Sequence, residues 1–138
     1  MIGDADLLAS LRDGSLPPAQ FDHANHLRAA WLILGDRSLP DPASAFRDLL
    51  HSYVRRVGAE DKFHRTMTDA LLSLVQARMA GQPSDWPRFR AQNQDLFNDA
   101  RQLLARHYSP ARLGSAEARL HFVAPDRAAL PAQDTSKR

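Results

Sequence analysis

Four of the six histidines, His23, His26, His51 and His64, precede the middle of the chain, three of them where helices are expected to start. His23 and His26 stand at i and i+3, so both rings lie on nearly one side of a helix and one turn apart. His23 also continues the line Leu27, Ala30, Trp31 and Leu34. His64 leads Met67, Leu71 and Val75 at i+3, i+7 and i+11, again on an apolar side. A helix N-terminus disfavours imidazolium, and neutral imidazole is the form that ligates metal. If His23, His26 and His64 converge, they form the three-histidine set of one class of catalytic zinc site, with a position left open to water. Asp22, Glu60 or Asp61 could orient a ring or add an oxygen, and iron or manganese would suit the same donors. The leading expectation is therefore a divalent metal (zinc, iron or manganese) assisting a reaction on a small molecule.

The same residues support two other readings. Two helix N-termini at one end of a bundle expose unpaired amides, and Arg28, Lys62 and Arg65 are close by in sequence. That set suits an anionic ligand, phosphate or carboxylate, and describes a non-catalytic module for such a ligand or for a partner protein. Alternatively the histidines are structural, because a His pair at i, i+3 lacks the built-in Glu of a His-Glu-x-x-His run and serves equally as caps. His107 fits the last turn of a helix, Ser109-Pro110 the start of the next, and His51 a partly buried polar position. No Gly-rich phosphate loop, Gly-x-Ser-x-Gly elbow or EF-hand occurs.

Short loops position these residues on helices. Asp4 caps a first helix to Asp13, with Gly14 as its stop. Asp22 caps a second, ending at Gly35, and Asp41-Pro42 opens a third, ending before Gly58. A fourth is expected from near Asp61 to about Ala80 with Gly81 as its terminal signal, followed by Ser84 to Leu96 and Asn98 to Tyr108. Ser109 and Ser115 read as caps of one-turn or two-turn pieces, and Pro125 and Pro131 end regular structure. No alternating strand pattern appears. The expectation is an all-α, single-domain bundle of about five or six helices over 1–130, with 131–138 a mobile tail. Short loops make the second and fourth helices parallel, and Trp31 is expected to be buried against the fourth.

Composition bounds the class. With 138 residues, 43% apolar and 25% charged, the chain fits one globular domain. It holds no cysteine, which removes disulfides, thiolate metal ligands and cysteine nucleophiles. The longest apolar run, Ala29 to Leu34, is six residues, against roughly 20 for a membrane span. The acidic start lacks the basic and apolar regions of a secretory signal, so a cytoplasmic location is expected. Sixteen of 18 cationic residues are arginine and 14 of 16 acidic residues are aspartate, a usage that looks like a high-GC bacterial genome. The arginines are interleaved with aspartates from Arg12 to Arg127 rather than gathered in a stripe, which argues against a nucleic-acid partner.

The segments Phe21-Asp22-His23-Ala24-Asn25-His26-Leu27-Arg28-Ala29-Ala30-Trp31, Lys62-Phe63-His64-Arg65-Thr66 and Arg106-His107-Tyr108-Ser109 resemble a group of small bacterial helical proteins. The shared pattern is F-x-H-x-x-H-x-R-x-A-W, then K-[FY]-H-x-T, then H-Y-S with a later Pro-Asp pair, here Pro125-Asp126. The resemblance covers roughly Phe21 to Pro131. It implies a helical fold and a focus on His23, His26 and His64, and carries no reaction.

Overall fold

The computed structural model describes residues 2–80 and 85–131. Gly81, Pro83 and Ser84, and nearly all of the 131–138 tail, lie outside the described residues. The protein is all-α, with no strand among the described residues. It divides into two compact units, Met1–Phe63 and His64–Arg138.

In the first unit α1 (Asp4–Asp13), α2 (His23–Leu34) and α3 (Pro42–Arg56) pack against one another, with 3-10 turns at Pro18–Gln20 and Glu60–Lys62. Local chemistry sets the helix ends. The Asp22 carboxylate accepts the Asn25 N–H at 2.9 Å and the Asp41 carboxylate accepts that of Ser44 at 3.1 Å. α1 stops at Gly14, whose φ of 79° is left-handed and whose missing Cβ would stand 3.0 Å from the Arg56 side chain. Asp4 is the first helical residue of α1 rather than its cap, a place held by Gly3.

The buried side of α2 is rotated from the expected one. Leu27, Ala29, Ala30 and Ile33 are buried, whereas Trp31 and Leu34 are only half-buried. Leu27, Ala30, Trp31 and Leu34 fit a helical period equally well. Which of these positions is buried follows from how α2 packs against α1 and α3, not from the period alone.

Arg28 is also buried, at 8% exposure. Its guanidinium pairs with Asp4 and donates to the Ile2 carbonyl at 2.8 Å, while its Nε has no partner among the described residues. Removing one partner of a buried pair strands a charge, whereas replacing the cation with an apolar side chain removes the desolvation cost. Asp4→Ala is therefore expected to lower stability by about 1 to 2 kcal/mol, and Arg28→Met by less, because it also removes the orphaned Nε. Urea denaturation of the two variants checks the order; a larger loss for Arg28→Met would contradict it.

In the second unit α4 (Arg65–Met79) is buried all round from Thr68 to Val75, as expected of a helix at a core rather than on its edge. It packs against α7 (Ala100–Ala105) and α9 (Ala116–Leu120). The remaining elements are α5 (Trp86–Gln92), α6 (Gln94–Asn98) and α8 (Pro110–Leu113). This makes nine helices among the described residues, against five or six expected. The segment read as one helix to Leu96 breaks at Asn93, a buried residue that donates to the Phe89 carbonyl and accepts from Arg78. Ser109 and Ser115 cap α8 and α9 as expected, accepting the N–H of Arg112 and Ala118. α4 begins at Arg65 instead of near Asp61, because the residue in the cap position is His64.

Candidate functional site

The His64 ring spends both nitrogens inside the second unit. Nδ1 accepts the Met67 N–H at 3.0 Å, capping α4, and Nε2 meets the Leu113 carbonyl at 2.8 Å. A carbonyl only accepts, so Nε2 carries the proton and Nδ1 is the bare acceptor. Neither nitrogen is spare. A metal would have to displace the cap or the tie to α8.

His26 lies in the first unit between two aromatic rings. Phe21 stacks on it at 5.5 Å with the planes 13° apart, and the Phe46 centroid is also 5.5 Å away. Phe21 in turn meets Tyr53 edge-on at 5.2 Å, and the buried Tyr53 hydroxyl donates to the Leu16 carbonyl at 2.6 Å. Although the residue as a whole is half-buried, its ring is packed against carbon. That burial, and secondarily the charge of His23, pushes the imidazole pKa down to about 4. His26 is neutral at physiological pH, but as a packed aromatic rather than a poised base. His23 is exposed at the start of α2.

Among the described residues, no group of three or more His, Cys, Asp or Glu side chains could hold a metal ion. Two of the three carboxylates expected to support such a site have other roles. Asp22 caps α2, and Glu60 stands 3.3 Å from His51, whose ring also lies against Phe63. Asp61 is exposed in the 3-10 turn. Two of the three candidate anion ligands are similarly engaged. Arg28 is clasped to Asp4 and Ile2, Arg65 pairs with Asp69 at 2.8 Å, and Lys62 is exposed in the 3-10 turn.

Zinc, iron(II) or manganese is accordingly expected to leave the melting temperature unchanged. A metal bound only by the folded state would add about 2.7 kcal/mol at a hundredfold excess over its Kd, a shift of several degrees. A shift of that size, lost in His64→Ala, would restore the metal reading.

Sequence reasoning missed a different assembly in the second unit. The chain from His121 to Pro131 is not helical, and side chains elsewhere in the unit hold its main chain. The Thr66 hydroxyl donates to the His121 carbonyl at 2.9 Å and accepts the Val123 N–H at 3.1 Å. The Tyr108 hydroxyl donates to the Val123 carbonyl at 2.7 Å, Arg112 to that of Ala124 at 2.7 Å, and Ser73 to that of Pro131 at 2.8 Å. Asp126 accepts both the N–H and the hydroxyl of Ser109, at 2.8 and 2.6 Å, which holds its carboxyl below the usual range. Burial pushes the Tyr108 phenol up to about 12, so this hydroxyl is a donor, not a nucleophile. His107, expected to cap its own helix, instead meets the Ala128 carbonyl at 2.9 Å.

Thr66, His107, Tyr108, Ser109 and Asp126 all belong to the short patterns quoted from the sequence. Those patterns were the available signal in the sequence. At the start of this segment, Leu120 is 70% exposed and Phe122 45% exposed. They are the exposed large apolar side chains among the described residues.

The chain matches no protein-family model, no curated protein and no solved structure. Among the described residues, no helix is long and apolar enough to cross a membrane.

Proposed function

We propose that this protein is a non-catalytic binding module that takes a partner protein on the face formed by Leu120 and Phe122. The observation that carries this reading is the exposure of those two side chains on either side of His121. Single exposed apolar residues are ordinary on protein surfaces, but a neighbouring pair of large ones is the compositional mark of a contact core. Arg119 is exposed beside them, which favours a partner presenting apolar surface with a carboxylate at its rim.

The histidines support the reading by their occupation. His64 is a cap and a tie with both ring nitrogens hydrogen-bonded, and His26 is a packing element held between aromatic rings. The metal-assisted reaction asks His64 to surrender a hydrogen bond that it already makes. A small anion would similarly have to draw Arg28 or Arg65 away from an internal carboxylate.

A photoreactive side chain placed at position 122 of the full chain in cells tests the reading. One discrete adduct is expected, lost on Leu120→Asp and absent when the probe is moved to the exposed Gln102. No adduct, or the same diffuse adducts from both positions, would refute the proposed face.

A further inference from the structure

The arginines of the second unit are used in two ways. Arg65 and Arg78 are each spent on an aspartate inside the unit, at 2.8 Å. Arg106, Arg112, Arg119 and Arg127 are ion-paired to no carboxylate among the described residues, although Glu117 and Asp126 fall in the same stretch. Asp126 turns both its oxygens to Ser109, and Glu117 is exposed in the first turn of α9.

Folding sets these four arginines along the non-helical segment that starts at His121. Arg119 is exposed in the last turn of α9, directly before Leu120. The Arg112 guanidinium reaches Ala124, whose carbonyl accepts from Nε at 2.7 Å. Further along, the N–H groups of Arg127 and Ala128 donate to the carbonyls of His107 and Arg106 at 2.9 and 3.1 Å, which brings the exposed Arg127 beside the exposed Arg106. Arg127 also donates through its guanidinium to the Ala105 carbonyl at 2.8 Å. Arg112 and Arg127 are thus held by neutral carbonyls, which fix a guanidinium in place without cancelling its charge. Arg106 and Arg119 make no side-chain hydrogen bond among the described residues, so each presents its whole planar fork. The result is a strip with Leu120 and Phe122 exposed at one end and cations from there to Arg127.

We propose that the partner taken at Leu120 and Phe122 is recognised through a short acidic segment, whose large apolar side chains meet Leu120 and Phe122 and whose carboxylates meet Arg106, Arg112, Arg119 and Arg127. The proposal rests on the reading of this face as a protein contact and adds the chemistry of what binds there. Charge complementarity carries it: four cations without an internal counter-ion border the two exposed apolar groups, and two of them are already ordered, so less side-chain entropy is lost on binding. A phosphate polymer would answer the arginines but brings no aliphatic group to cover Leu120.

Selection of a random displayed-peptide library, about twelve residues long, against the full chain tests the proposal. Enriched peptides are expected to be net acidic and to carry at least one large apolar residue. Binding of a labelled selected peptide is expected to weaken about tenfold when its Asp and Glu are replaced by Asn and Gln, a readout that needs no protein variant. It should weaken by a similar factor in Arg106→Gln with Arg119→Gln, both exposed positions, and be lost in Leu120→Asp. Salt raised from about 0.05 to 0.5 M should weaken it as well, because exposed charges are screened.

No enrichment, enrichment of neutral or basic peptides, or binding that ignores these substitutions overturns the acidic-segment inference. Displacement of the peptide by single-stranded RNA at equal charge concentration also overturns it, in favour of a polyanion. The photoreactive probe at position 122 is read separately: a discrete adduct without acidic enrichment keeps the protein face and removes this inference, whereas absence of the adduct refutes the face itself.

Discussion

Replacing Phe46 with alanine is expected to cost about 3 to 5 kcal/mol, the range for a large aromatic removed from a packed interior. Phe46 is 1% exposed on α3, and its ring forms one wall of the slot around His26. The loss combines the transfer free energy of the ring with the void left beside it. This void differs from a purely aliphatic one because an imidazole lines it. Water that enters can hydrate the ring, so the His26 pKa should rise toward its ordinary value. Chemical denaturation measures the first effect, and the imidazole resonances followed by NMR across pH measure the second. A change below about 1 kcal/mol would mean that Phe46 is not packed as described.

Acidification from pH 7 to pH 4 is expected to remove about 2 to 3 kcal/mol of stability through His26 alone. In the folded protein its pKa is pushed down to about 4 by burial and by His23, against an ordinary value of 6.5 when unfolded. The unfolded chain therefore binds the proton first. Stability is full above about 6.5, falls through the interval, and levels off below about 4 once both states are protonated at this site. Aspartates with lowered pKa values, such as Asp95 beside Arg78, act below their ordinary 3.8 and so fall outside most of this window. His26→Phe keeps an aromatic between Phe21 and Phe46 and should flatten the profile between pH 6.5 and 4. An equally steep profile in that variant would show that His26 does not carry the dependence.

Helix ends in this protein were legible from neighbouring residues, since each depends on groups within about four positions. Asp22, Asp41, Ser109 and Ser115 cap the helices that follow them, and Gly14 turns left-handed after α1. Dense helical periodicity without alternation likewise established the all-α class. Break points governed by distant partners were not legible. Asn93 interrupts what reads as one helix because Arg78 holds its side chain from α4.

The tertiary fold decided what each polar residue is for. A histidine at a helix start is equally consistent with a ligand and with a cap. His64 became a cap and a tie because Leu113, 49 residues away, supplies a carbonyl for its other nitrogen. Arg28 reads as a basic group near a helix N-terminus, yet Asp4 and Ile2 fold back to enclose it. Trp31 matches the apolar period but is only half-buried, whereas Ala29 and Ala30 beside it are buried, because the packing of α2 against α1 and α3 and not the period selects the buried side. The non-helical segment from His121 to Pro131 shows the same division. Pro125 and Pro131 forecast its irregular backbone, but hydroxyls of Thr66 and Ser73, more than 50 positions away, determine where it lies. Local chain chemistry fixes conformation over a few residues, whereas the use of a side chain depends on partners that only folding brings within hydrogen-bond reach.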